Sequence, residues 1–198
     1  MLVISCHSDT NFRQHTLDRL PDGRVHGHLD NFAGVYCVMN AFFSGRIKRQ
    51  GVRIELTYGE EIDFAGAKEV LATLSARDTV MVVDVTGTPT TRDFCIEKCP
   101  PGAIERLLHT ALAGMSYELF HDCPDPVTTE DEVDVYVKRC PQTFFLGIPV
   151  QDGDYNAGRV VCRAESLAAV TEAICRICEA VHNMGGRKSV ARAGAGQM

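Results

Sequence analysis

Val80-Met81-Val82-Val83-Asp84-Val85 is a near-continuous apolar run opened by Thr79 and interrupted by one carboxylate near its end. Apolar residues at successive positions predict a central parallel strand buried on both faces. Leu2 to Cys6 reads as a second buried strand, opening into polar His7-Ser8-Asp9. Val52 to Tyr58 alternates, is rich in β-branched residues and runs into Gly59-Glu60-Glu61. Ser116 to Phe120 and Phe144 to Val150 complete the expected strands.

Between these strands the period changes. From Asp30, the residues Ala33, Val35, Tyr36, Val38, Met39, Phe42, Phe43 and Ile47 recur at three- and four-residue intervals, predicting a helix of about five turns with one apolar face. Helices are also expected over Phe64 to Leu74, over Pro101 to Ala113 with proline in the first turn, and over Ser166 to His182. Thr129 followed by Glu132 forms a capping-box pattern ahead of a short helix. Alternating strands and helices predict an α/β fold of three layers, a mainly parallel central sheet with helices on both faces. The chain reads as one domain over residues 1–184, followed by a Gly-, Ala- and Arg-rich tail, 185–198, expected to be disordered.

The 198 residues suffice for a core without a structural metal or disulfides. A formal charge of -6 without a basic stripe argues against nucleic acid as partner. No apolar run approaches the ~20 residues of a membrane span, and nothing resembles a leader peptide. Nine irregularly spaced cysteines point to a reducing, cytoplasmic setting.

In open α/β sheets, ligands bind at the carboxyl ends of the strands. Polar residues there are His7 and Asp9 after the first strand, Glu60 and Glu61 after the next, and Asp84 at the end of the central one, with Asp30 opening the intervening helix. Bare carboxylates so gathered repel one another unless a cation shares the site. Mixed His and Asp/Glu ligation suits zinc, with manganese or cobalt as substitutes, and a carboxylate can bridge two ions. Of the paired glutamates, one can ligate while the other accepts a proton from metal-activated water.

These residues resemble the co-catalytic dizinc exopeptidases, most closely the glutamyl and deblocking aminopeptidases. His7-Ser8-Asp9 is similar to that family's His-x-Asp, Leu29-Asp30-Asn31-Phe32-Ala33-Gly34 to its Leu-Asp-Asp/Asn-x-x-Gly, and Gly59-Glu60-Glu61 with Gly66-Ala67 to its Glu-Glu followed by Gly-Ala. Val83-Asp84-Val85-Thr86 and Gly147-Ile148-Pro149 continue the match. The resemblance implies that Asp30 bridges two metals, that His7 and Glu61 complete opposite halves of the pair, and that Asp84 binds one metal. It also implies Glu60 as general base, Asp9 as the residue orienting His7, and a cis peptide between Asp30 and Asn31.

Three departures qualify the match. Asn156 stands where the family has its fifth ligand, a histidine, leaving Asp152, Asp154 or His121 as substitutes. The chain opens almost at His7, and Asp9 and Asp30 lie too close for the inserted domain that glutamyl-type members use in oligomerisation. The expected function is a metal-dependent hydrolase cleaving a terminal amide bond of a small peptide. The alternatives are a metal-depleted pseudoenzyme serving as a binding or assembly module and a deacylase of a small N-acylated metabolite. Other oligomers remain compatible with the sequence. Cys175 and Cys178 read as core, Cys95 and Cys99 as loop residues without a role, Cys6 as facing away from His7, and His26 and His28 as loop histidines able to line the site.

Overall fold

The computed structural model describes residues 1–48 and 50–194, with 184–194 as backbone only. Four parallel strands form the centre of the sheet in the order β4-β1-β5-β8, where β1 is Leu2–His7, β4 Val52–Thr57, β5 Thr79–Thr86 and β8 Gln142–Gln151. Beyond β8 the sheet turns antiparallel through β9 (Val160–Cys162), β3 (Val25–Gly27) and β2 (Leu17–Arg19). A side branch pairs β6 (Phe94–Glu97) antiparallel with β8, and β7 (Tyr117–Leu119) parallel with β6. The central strands carry Val, Ile and Leu on both faces, and β1, β5 and β8 are buried almost throughout.

Helices cover both faces, so the fold is a three-layer α/β structure. On one side, Leu2, Ile4, Cys6, Met81, Val83 and Leu146 pack against α1 (Phe32–Phe43), α3 (Ala103–Ala111) and α5 (Ala164–Gly194). On the other, Val3, Val80, Val82 and Phe145 pack against α2 (Ala65–Thr73) and α4 (Glu132–Tyr136). Val170, Ile174 and Ile177 of α5 are fully buried. Each such aliphatic side chain contributes about 1.5–3 kcal/mol of burial energy.

Several boundaries differ from the sequence reading. The short strands β2, β3, β6 and β9 lack the length for a periodicity signal, and Cys95 lies in β6 instead of a loop. The capping box of α4 is Asp131 with Asp134, not Thr129 with Glu132: Asp131 accepts the Val133 N–H at 2.6 Å, and Asp134 accepts the Asp131 N–H at 3.2 Å. Helix α5 continues to Gly194, so residues 185–194 of the expected tail are helical, while 195–198 lie outside the described residues. Alanine and arginine are good helix formers and extend the helix past its last apolar turn.

Helix α1 ends at Phe43 and does not bury the expected face. Its buried residues are the small ones, Ala33, Gly34, Cys37, Val38 and Ala41, whereas Phe32, Tyr36, Phe42 and Phe43 are exposed. Small side chains let the helix backbone approach the sheet closely, and the large apolar ones then face outward.

Candidate metal centre

The register of the parallel strands builds the site. His7 is the last residue of β1, and the pairing of Ser5 with Val82 continues to set His7 level with Asp84 on β5. Asp30 reaches the same place from the chain entering α1. The Asp30-Asn31 peptide is cis, as the resemblance implied. Asn31 then fixes the start of α1: its Oδ1 accepts the Gly34 N–H at 2.9 Å, and its Nδ2 donates to the Val83 carbonyl at 2.9 Å. A Cβ on Gly34 would lie 2.2 Å from Asn31 Oδ1, which explains the glycine at that position. After β4, Glu60 and Glu61 sit in a tight turn closed by α2. There the Gly66 N–H donates to the Tyr58 carbonyl at 2.8 Å, and a Cβ on Gly66 would lie 2.6 Å from the Tyr58 nitrogen.

The convergence is tight. His7 Nε2 lies 3.1 Å from Asp30 Oδ1 and 3.0 Å from Asp84 Oδ2, in a side chain 1% exposed. Donor atoms of His7, Asp30 and Asp84 form one group able to hold a metal ion, and those of His7, Glu60 and Glu61 form a second. His7 Nδ1 lies 3.2 Å from the backbone carbonyl of Asp9 and 3.6 Å from its carboxylate Oδ1. The carbonyl is the closer partner, so Asp9 meets the ring chiefly through its main chain. Asp84 Oδ1 accepts the Val85 N–H at 2.7 Å, which turns Oδ2 toward His7. Asn11 donates to Glu61 Oε2 at 2.7 Å, a contact that the sequence alone did not single out.

Electrostatics follow from four carboxylates around one imidazole. Burial opposes charging His7, but Asp84 and Asp30 outweigh it and hold the ring well above its usual range. Burial, then the charge of Asp84, pushes Glu60 up to about 9. Burial also lifts Asp84 to about 7, with Asp30 adding to the shift and His7 opposing it. Glu61 is raised by burial and by Asp30. Without a cation the pocket holds protons that ordinary carboxylates release.

His7 Nε2 is buried between two carboxylate oxygens and makes no properly directed hydrogen bond. An imidazole nitrogen and two carboxylates in van der Waals reach of one point match the mixed N/O donor set of a divalent ion. The residues therefore fit a metal.

Asn156 lines the same cavity as Asp30, Glu60 and Asp84 but is itself exposed. The alternatives to it lie elsewhere. Asp154 accepts the Asn156 N–H at 3.0 Å, Asp152 faces Arg24, and His121 Nδ1 bonds to the Cys99 carbonyl. His28 Nδ1 is engaged by Thr16, and neither His26 nor His28 joins a metal-holding group among the described residues. Cys6 packs into the core on the face opposite His7, and Cys175 and Cys178 are buried in α5.

The far wall of the cavity was not legible in the sequence. Thr86 Oγ1 lies 2.8 Å from Glu97 Oε1 and 3.1 Å from Asp125 Oδ2, and Asp125 Oδ2 also accepts the Gly87 N–H and the Tyr155 hydroxyl, each at 2.7 Å. Below His7, buried Glu132 accepts from Ser5 at 2.6 Å.

No family model matches the sequence, and no curated protein matches it. The fold is similar to solved aminopeptidases. One is the TET aminopeptidase of the marine sediment archaeon Thaumarchaeota archaeon SCGC AB-539-E09, with a TM-score of 0.66 at 14% identity over 85% of this chain and 55% of that one. A second is aminopeptidase APDkam598 of the archaeon Desulfurococcus kamchatkensis, with a TM-score of 0.66 at 15% identity over 84% and 52%. A third, an aminopeptidase of the M18 family from Thermotoga maritima, aligns with a TM-score of 0.60 at 9% identity over 82% and 48%. The chain spans about half the length of these structures, and what it shares with them is the α/β fold of aminopeptidases.

Proposed function

We propose that the chain is a metal-dependent hydrolase of the aminopeptidase type, related to the glutamyl and deblocking aminopeptidases, that cleaves a terminal amide bond of a small peptide or N-acyl substrate. The observation that carries this reading is the buried Nε2 of His7, held 3.1 Å from Asp30 Oδ1 and 3.0 Å from Asp84 Oδ2 without a directed hydrogen bond to either, at the carboxyl end of the parallel sheet. His7, Asp30 and Asp84 would hold one divalent ion, zinc or in its place manganese or cobalt, and Asp30 with Glu61 would hold a second. Such an ion supplies Lewis-acid polarisation of the scissile carbonyl and lowers the pKa of water.

The chain's own residues do the rest. The Asp9 main chain accepts from Nδ1–H, which would leave the Nε2 lone pair to the ion. Asn11 fixes one oxygen of Glu61 and leaves the other free to ligate. Glu60 shares the cavity with Asp30 and Asp84 and belongs to the donor group of His7 and Glu61, not to that of His7, Asp30 and Asp84. It takes the proton of the attacking water and passes it to the departing amine. Nine free cysteines, eight of them buried, support a cytoplasmic setting.

Asn156 favours one competing reading, a binding module with a weakened centre, because an amide oxygen is a poorer zinc donor than an imidazole. Hydrolysis of a panel of aminoacyl amides and N-acyl amino acids by metal-loaded protein separates the readings. Turnover lost in Glu60→Gln supports the hydrolase, and weak metal retention with no turnover on any substrate supports the metal-depleted module.

A further inference from the structure

Helix α1 carries no charged side chain in FAGVYCVMNAFF, yet it lies at the surface. A helix apolar on every side is ordinarily enclosed. Here the sides toward the sheet and toward α5 are covered, and Phe32, Tyr36 and Phe43 form an exposed stripe along the remaining side, with Asn40 the single polar residue in line and His15 packed edge-on against Phe32. The two ends of the stripe differ. At the N-terminal end, Phe32 and Tyr36 wall a groove of about 820 Å³ whose other sides come from Leu17 and Val25 of the β2–β3 hairpin and from Leu167 and Ala168 of α5. At the C-terminal end, Phe42 and Phe43 project as an edge-to-face pair with ring centroids 5.3 Å apart, and Phe43 is 74% exposed.

A surface with an apolar groove at one end and an aromatic pair at the other is self-complementary under a twofold rotation. Antiparallel pairing of two α1 helices sets the Phe42-Phe43 pair of each copy over the groove of the other. Helix α1 brings no charge to that contact, and the charged residues lining the groove are Asp18, paired with Arg159, and Arg19. The exposed parts of Leu17, Phe32, Tyr36, Phe42 and Phe43 present on the order of 500 Å² per copy, or about 1,000 Å² for two copies, which reaches the lower bound of specific interfaces. We infer that this face is the interface of a homodimer, with a second copy of this chain as its occupant.

Sedimentation analysis of the full chain across micromolar concentrations tests the inference. Wild-type protein is expected to form a dimer, and Phe43→Glu to weaken it at least tenfold. Val137→Glu, at an exposed residue of the opposite sheet face, is expected to leave it unchanged. Antiparallel pairing sets residue 43 of one copy near residue 32 of the other, so Phe32→Lys added to Phe43→Glu is expected to recover dimer through two lysine–glutamate contacts. A wild-type monomer overturns the inference, as does a dimer indifferent to Phe43→Glu or a double variant no tighter than the single one. A monomer that retains a copurified apolar ligand in native mass spectrometry also overturns it and assigns the groove to a small molecule.

Discussion

His7 Nε2 and Asp84 Oδ2 stand 3.0 Å apart because their strands are hydrogen-bonded neighbours whose register sets the two residues level at the carboxyl edge of the sheet. Neither side chain can retreat: both are buried, and the other oxygen of Asp84 is fixed by the Val85 N–H. The pair is therefore a preformed donor set held by the strands rather than by mobile loops.

The raised carboxylates make the metal-free fold sensitive to base. Glu60, at about 9, and Asp84, at about 7, release protons far later when folded than when unfolded, and His7 shifts in the same direction. Between about pH 4 and these values the folded state binds more protons, so this stabilisation is full at low pH and is lost as pH rises through about 7 and then about 9. Thermal melts of chelated protein are expected to shift downward from about pH 6 to about pH 9. Saturating zinc should flatten that slope. A slope unaffected by zinc contradicts the placement of the ion among these carboxylates.

Glu60 and Glu61 separate by kind of defect. Glu60→Gln is expected to reduce turnover by roughly a hundredfold to ten-thousandfold with metal content nearly unchanged, as removal of a general base does. Glu61→Gln is expected to lose metal first. Equal metal loss in both variants reverses the assignment.

Asn156→His supplies an imidazole where the cavity has an exposed amide. Zinc titration by calorimetry is expected to show the weaker binding step tightened at least tenfold, about 1.4 kcal/mol. An unchanged constant means that residue 156 does not face the second ion.

Gly34→Ala probes the support of the site instead of its chemistry. The added Cβ meets Asn31 Oδ1 at 2.2 Å and displaces the side chain that caps α1 and ties it to Val83. Chemical denaturation is expected to show a loss of about 1–3 kcal/mol, combining a lost cap with local overpacking. Stability equal to wild type refutes the capping account.

The four central strands and the helices α1, α2, α3 and α5 were legible because each is long enough to carry an apolar run or a period, whereas the five-residue α4 was marked only by a capping signal. The strands β2, β3, β6 and β9 were not, since three or four residues carry no period and their pairing is decided by distant partners such as Cys162 with Val25. For α1 the period was visible, but the face was misread. The sequence shows apolar residues all round, and only the packed structure reveals that the small ones were chosen for burial. His7 and Asp84 could be gathered from their places at strand ends and Asp30 from its place opening a helix, whereas Glu97, Asp125 and Tyr155 meet through Thr86 and Gly87 across loops that leave no mark in local sequence.

Metal stoichiometry tests the central claim most directly. Wild-type protein loaded with zinc and desalted is expected to retain about one equivalent or more by elemental analysis, and Asp84→Ala to lose most of it, because the donor set is preformed and Asp84 completes it. Retention of less than about a tenth of an equivalent by folded wild-type protein, or equal retention in Asp84→Ala, would contradict the assignment of His7, Asp30 and Asp84 as a metal centre.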